Sequence, residues 1–239
     1  MIVGIHQPNF LPWLGYFYKM VVCDHFVLLD NVAFSKGSYT NRVQIKTPQG
    51  PAWLTVPAKT SGKLGQDIAD VSVDPSPAWR RKVQGTLENS YRQAPHFKAY
   101  WPGVLEIIQS PMQSLCELNI ALIAHVAALL EIHTPTGRSS QMAARGASTE
   151  LLIGLCRELG ADTYLSGSGG ANYQDEQAFA AAGIKVVYAG YRHPTYPQQH
   201  GEFAKGLSAL DLLFNCGPAA AEILRSGRPA GQTPVEPIP

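Results

Sequence analysis

A chain of 239 residues, 45% hydrophobic and 15% charged, is long enough to bury a sizeable core in one domain or in a domain with an insertion. With 19 basic and 18 acidic residues the net charge is +1, which excludes a global field drawing the protein to nucleic acid or an anionic membrane but leaves room for a local basic patch. Cys23, Cys116, Cys156 and Cys216 form no CxxC pair and sit in apolar surroundings, so buried free thiols are expected rather than a zinc site.

The chain shows no basic leader ahead of a long apolar stretch, and its longest apolar helix, around "IALIAHVAALLEI", is too short to span a bilayer. A soluble cytoplasmic protein is expected. Residues 2–5 read as a buried strand. Pro8 and Pro12 exclude a regular helix between them, and a helical turn or two fits Leu14 to Val22. "HFVLLD" is a second buried strand ending at Asp30 and Asn31. Alternation in "RVQIKTPQGPAWLTVPA" predicts a hairpin with "PQG" as its turn. Residues 59–74 mix turn signals with a short alternating strand. One helical stretch is expected from Pro77 to Tyr100, capped by Asp74 or Ser76, and a long helix over 111–131.

The remainder alternates helix and strand. Residues 149–159 read as a helix stopped by Gly160, "DTYLSG" as a strand, "EQAFAAAG" as a helix, "IKVVYAGY" as a strand and "ALDLLFNCG" as a last helix. The expected fold is α/β: a three-layer Rossmann-like arrangement with a mostly parallel sheet, a β-hairpin and a helical insertion over about 77–131. It forms a single domain over 1–226, with a disordered tail over 227–239.

Five stretches carry candidate chemistry. In "IHQPNF", the loop leaving the first strand, His6 can exchange a proton near neutral pH, and Gln7 and Asn9 can orient a carbonyl or amide; the alternative is a satisfied polar turn. If both early strands share the sheet, Asp30 lies on the same edge and can orient His6, or else cap a turn with Asn31. "KGSYTNRVQIK" is locally basic; Lys36, Asn41, Arg42 and Lys46 can hold a phosphate or form a solvated hairpin rim. "YLSGSGGANY" offers Ser166, Gly167 and Ser168 in a Gly-rich loop whose backbone can cradle an anion, but it is neither a full GxGxxG nor a Walker A loop. After the last strand, "YRHPTYPQQHGEF" supplies His193, Tyr196, Gln198 and His200. No metal-ligand spacing links these residues to His6 and Asp30.

Taken together, these stretches resemble the WbqC-like family. The matching motifs are "IHQPNFLPWLGYFYK", "FVLLDNVAF", "NRVQIKTPQGPAWLTVP", "RKVQGTLENSYRQAPHF", "YLSGSGGANY", "YRHPTYPQ" and "LSALDLLFNCG", which run to about Gly217. The resemblance implies a role in bacterial O-antigen or other surface-polysaccharide biosynthesis, or in specialised metabolism, with glycyl-type aminoacyl transfer onto an amino sugar. It carries the family's polar positions onto His6, Gln7, Asn9, Lys19, Asp30, Asn31, Asn41, Arg42 and Lys46. Later ones fall on Ser139, Ser140, Tyr173, His193, Tyr196, Gln198, Asp211 and Asn215. Phe10 and Ala33 depart from the pattern, standing where members often show Tyr and a larger polar residue. The opening is also loosely similar to nucleotidylyltransferases and class I synthetase cores, but the second histidine of their HxGH motif is absent, and "GRSSQM" lacks the lysines of a KMSKS loop.

The expected function is acyl or aminoacyl transfer to an amine on a sugar or small metabolite. His6 serves as general base, Asp30 orients it, and His193 joins them as a candidate catalytic group. Asn9 or the Gly-rich loop stabilises the oxyanion, and Arg42, Lys36 and Lys46 bind a phosphate of the donor or of a nucleotide-sugar acceptor. No cofactor is required beyond an activated acyl donor; thioester, acyl carrier protein, aminoacyl-tRNA and aminoacyl adenylate all stay open. A nucleotide-dependent transferase or ligase, and a non-catalytic binding module, are the alternatives.

Overall fold

The computed structural model describes residues 1–60, 65–167 and 174–228. The elements in chain order are β1 (Ile2–His6), α1 (Leu14–Val21), β2 (His25–Leu28), β3 (Arg42–Thr47), β4 (Gly50–Thr55), α2 (Ala78–Tyr91), α3 (Phe97–Gln109) and α4 (Leu115–Leu129). They continue with β5 (Thr136–Arg138), α5 (Ser148–Glu158), β6 (Thr163–Ser166), α6 (Glu176–Ala181), β7 (Lys185–Tyr188), α7 (Ala209–Cys216) and α8 (Ala220–Ser226).

Five strands form a parallel sheet in the order β5-β2-β1-β6-β7. The central strands β1, β2 and β6 are short and largely apolar because both faces are covered. On one face Phe26 and Leu28 pack with α1, α4 and α7; on the other Val3, Ile5 and Val27 pack with Leu151, Leu155 and Phe179 of α5 and α6. This is the expected Rossmann-like α/β architecture. Strand order reverses at β1, so the loops leaving β1 and β6 part there and open a crevice at the carboxyl edge.

The hairpin β3–β4 has the expected place, with Val43 opposite Leu54 and Ile45 opposite Ala52. The stretch expected as one helix over 77–100 is two, α2 and α3, because Pro95 disfavours helical backbone at the residue before it. The strand expected within 59–74 is absent among the described residues; single bridges (Ala58 with Val73, Ala33 with Asp67) and a 3-10 turn over Ile68–Asp70 take its place. β5 and α8 were not legible: three residues show no period, and α8 follows Gly217 and Pro218, which read as a stop. Cys23, Cys116 and Cys156 are buried free thiols, as expected, and Cys216 is half-buried. Among the described residues no helix is long and apolar enough to cross a membrane.

Candidate active site at the strand-order reversal

A cavity of ≈ 790 Å³ opens at this crevice. Ile5 and His6 at the end of β1 and Ser166 and Gly167 at the end of β6 form its floor. The β1 loop and α1 supply Asn9, Trp13, Tyr16 and Lys19, while Ser148 and Thr149 begin α5 on the opposite side. Among the described lining residues there is no carboxylate, and Lys19 is the only lysine or arginine.

The loop is held by groups far away in sequence. Asn119, fully buried on α4, donates to Pro8 O (2.8 Å) and Thr40 O (2.7 Å), tying the β1 loop to the turn before β3. Phe10 N donates to Tyr39 O at 3.0 Å. Leu11 is held at φ 43° and Ser148 at φ 48°, so two non-glycine residues on the elements around the cavity take left-handed backbone. Such strain persists only where the surroundings enforce it, and it gathers at functional sites.

Besides the Tyr16 and Tyr191 hydroxyls, buried without a hydrogen-bond partner among the described residues, His6, Lys19 and Asn9 line the cavity with capacity to spare. His6 Nδ1 lies 3.2 Å from Gln7 O, which makes it the donor and leaves Nε2 as an acceptor with no hydrogen-bond partner among the described residues. Burial, reinforced by the charge of Lys19, pushes the His6 pKa down to about 3, so its imidazole is neutral at physiological pH. Lys19 is 3% exposed; its Nζ donates to Ile5 O at 2.6 Å and stands 5.8 Å from the Tyr164 ring. Burial lowers its pKa to about 8, against a small upward pull from Cys23 and Cys156. Asn9 is 2% exposed and lines the cavity, and its side-chain amide makes no hydrogen bond to another described residue.

The other expected residues lie elsewhere. No hydrogen bond joins Asp30 to His6. Asp30 instead accepts from Arg138 Nε (2.9 Å), Ser139 Oγ (3.1 Å), and the amide and hydroxyl of Ser140 (2.8 Å each). Burial alone would lift its pKa; Ser140, Arg138 and Ser139 outweigh that and hold the carboxyl below its ordinary value. Asn31 accepts from Ser139 Oγ at 2.6 Å. Asp30 therefore fastens β2 to β5, and the expected His6–Asp30 pair is not formed.

Lys46 is also committed: its Nζ donates to Gln198 Oε1 (3.1 Å) and to the carbonyls of Gly201 and Glu202. Gln198 and Tyr196 both donate to buried Asp211 (2.8 and 2.9 Å), whose pKa burial raises. His193 stacks on Tyr196 at 6.1 Å, outside the cavity wall, with Nδ1 2.8 Å from Pro194 O. Asn41 bonds Gly37 N and Val56 O. Gln7 lines the cavity and accepts from Thr40 Oγ1 at 3.3 Å. Arg42 covers the Trp53 ring at 4.2 Å, and Lys36 is exposed on the neighbouring turn. The expected three-cation phosphate clamp is thus not assembled. Ser168 and Tyr173 lie outside the described residues.

Sequence reasoning missed Asn119, Tyr39, Tyr191 and the start of α5. Asn119 carried a usable signal: it follows Leu115 by four residues on an apolar helical stripe, where a polar side chain needs a buried partner.

The WbqC-like protein family model matches residues 7–223. The chain belongs to that family. It is 34% identical over 227 residues to "Uncharacterized protein Rv1507c" of Mycobacterium tuberculosis, covering 93% of this chain and 97% of that protein. No solved structure matches the chain. Of the residues expected from the sequence, His6, Gln7, Asn9 and Lys19 line the cavity, Ser139 and Ser140 clamp Asp30, and Lys46, Tyr196 and Gln198 join the Asp211 network.

Proposed function

We propose that the protein is a transferase that moves an activated acyl or aminoacyl group, of glycyl size, onto an amino group of a sugar or small metabolite. The supporting observation is Lys19: a buried amine in a cavity with no carboxylate among its described lining residues, beside neutral His6 and an Asn9 amide with no described hydrogen-bond partner. A base works best when its pKa lies near the working pH. Lys19 at about 8 meets that condition and His6 at about 3 does not, so the base role passes from His6 to Lys19.

The acceptor nitrogen attacks the acyl carbonyl carbon. A C–N bond forms as the carbonyl π pair moves to oxygen, and the Asn9 amide donates to that oxyanion. Lys19, as the free amine, takes the proton shed by the nitrogen. His6 Nε2 accepts a hydrogen bond from the remaining N–H and aims the lone pair. The oxyanion then collapses, and the leaving group departs with its bonding pair and takes the proton from Lys19. No carboxylate among the described lining residues is placed to hold the acceptor as its unreactive ammonium.

The test supplies glycyl and acetyl thioesters, glycyl adenylate and glycyl-tRNA as donors, amino sugars and nucleotide-linked amino sugars as acceptors, and reads amide by mass spectrometry. Amide is expected with one donor class. Folded Lys19→Arg and Lys19→Met should lose it, and His6→Ala should slow it about a hundredfold. No amide with any of these donors, or full activity in Lys19→Met, refutes the reading.

A further inference from the structure

Among the described residues the exposed large hydrophobic side chains are Met1, Tyr39 (43%) and Trp53 (44%). Two of these three lie side by side: the Tyr39 and Trp53 rings are 5.8 Å apart. Tyr39 also meets Trp13 at 4.8 Å, and Trp13 and Tyr39 both line the cavity. An aromatic strip therefore runs unbroken from the cavity mouth out to the hairpin. Exposed, contiguous aromatic surface of this kind marks a contact site more often than scattered apolar residues do.

Charge favours one class of occupant. The Arg42 guanidinium lies over the Trp53 ring at 4.2 Å, and the Trp53 side chain stays 44% exposed. Arg42 forms no ion pair with a described carboxylate, and its Nε is buried without a hydrogen-bond partner. Exposed Lys36 stands on the adjoining turn, and the described cavity walls carry no acid. The strip is also fixed in advance. Tyr39 is anchored through its carbonyl to Phe10, and the next residue, Thr40, is anchored through its carbonyl to Asn119, so little cost falls on ordering this turn when a ligand binds. A ligand that uses all of this has a planar π face, negative charge next to it, and a further group reaching inward.

We propose that Trp13, Tyr39, Trp53 and Arg42 form a docking subsite for the nucleoside diphosphate portion of a substrate whose remaining group enters the cavity. The base stacks on the exposed Trp53 ring with the tilted Tyr39 ring, 58° away in plane, against its edge, and Arg42 bonds the diphosphate. A sugar ring or an acyl chain alone would use the strip but leave the Arg42 charge idle.

The full chain is titrated with UDP, ADP and GDP by calorimetry and tryptophan fluorescence, with uridine, adenosine, guanosine and inorganic pyrophosphate as partial ligands. At least one nucleoside diphosphate should bind saturably, and more tightly than its nucleoside or pyrophosphate. Tyr39→Ala and Trp53→Ala should each weaken it roughly tenfold, and Arg42→Gln should weaken it and flatten its salt dependence, all with native circular dichroism. No binding at millimolar nucleotide overturns the proposal, as does unchanged affinity in the folded variants. Pyrophosphate binding as tightly as the nucleotides also overturns it, by reducing the site to a bare anion site. The readout is binding rather than turnover, so this result and the amide assay fail independently.

Discussion

Replacing Lys19 by methionine should make the protein more stable at neutral pH, and the gain should vanish in alkali. Lys19 is 3% exposed and its ammonium has no carboxylate partner among the described residues. Its pKa falls from 10.5 to about 8 on folding. At 1.36 kcal/mol per pH unit this makes the protonated lysine cost about 3 kcal/mol of stability below pH 8. The hydrogen bond to Ile5 O returns about 1 kcal/mol. Methionine reproduces the unbranched apolar stem as far as the position of Lys19 Cε, so Lys19→Met should gain about 2 kcal/mol at pH 7. Between pH 8 and 10.5 the unfolded lysine binds more protons than the folded one, so wild-type stability rises with pH there and the gap closes. Urea unfolding of both proteins from pH 6 to pH 10 measures it. A gap that does not change with pH, or a mutant less stable at pH 7, refutes the assignment of a charged, unpaired Lys19. A residue that lowers stability in this way is what a functional site retains.

The same linkage, with the same sign, acts on His6 in acid. His6 has a pKa of 6.5 unfolded and about 3 folded, so its contribution is full above pH 6.5 and is lost as pH falls toward 3; His6→Gln should flatten that part of the acid unfolding curve. Arg138→Met leaves the fully buried Asp30 carboxylate without its ion pair and should cost about 3 kcal/mol in denaturant melts, more than the doubly substituted Asp30→Asn, Arg138→Met chain. Asn119→Leu frees two carbonyls that hold the β1 loop and should cost about 2 kcal/mol, with faster amide exchange confined first to residues 8–12 and 39–41. A β1 loop as protected as wild type would show that the loop does not depend on Asn119.

Much of the architecture was legible in local pattern. The apolar runs at 2–5 and 25–28, the hairpin, and the helix–strand alternation after residue 148 carry their own periods, and they place His6 at the end of a buried strand. β5 and α8 were not legible, because a three-residue strand has no period and α8 stands behind a Gly-Pro stop. Roles within the site were less legible still. Asp30 follows strand β2 by two residues and so could be placed on the same sheet edge as His6, but Arg138, Ser139 and Ser140, more than a hundred residues on, claim its oxygens.

By itself the sequence determined the parallel α/β layers, the buried thiols and the polar loop that ends β1, because these follow from periodicity, proline geometry and composition, which are local. Only the tertiary structure decided which polar residues are free to act. Lys46, Asp30 and Gln198 have the same chemistry in the sequence as any site residue, yet each is fully engaged by partners distant in the chain. Lys19, His6 and Asn9 keep unspent capacity because the crossing of strand order at β1 leaves a crevice where β1 and β6 part. Burial and hydrogen-bond satisfaction are properties of what surrounds a side chain, and those surroundings exist only after the sheet has assembled.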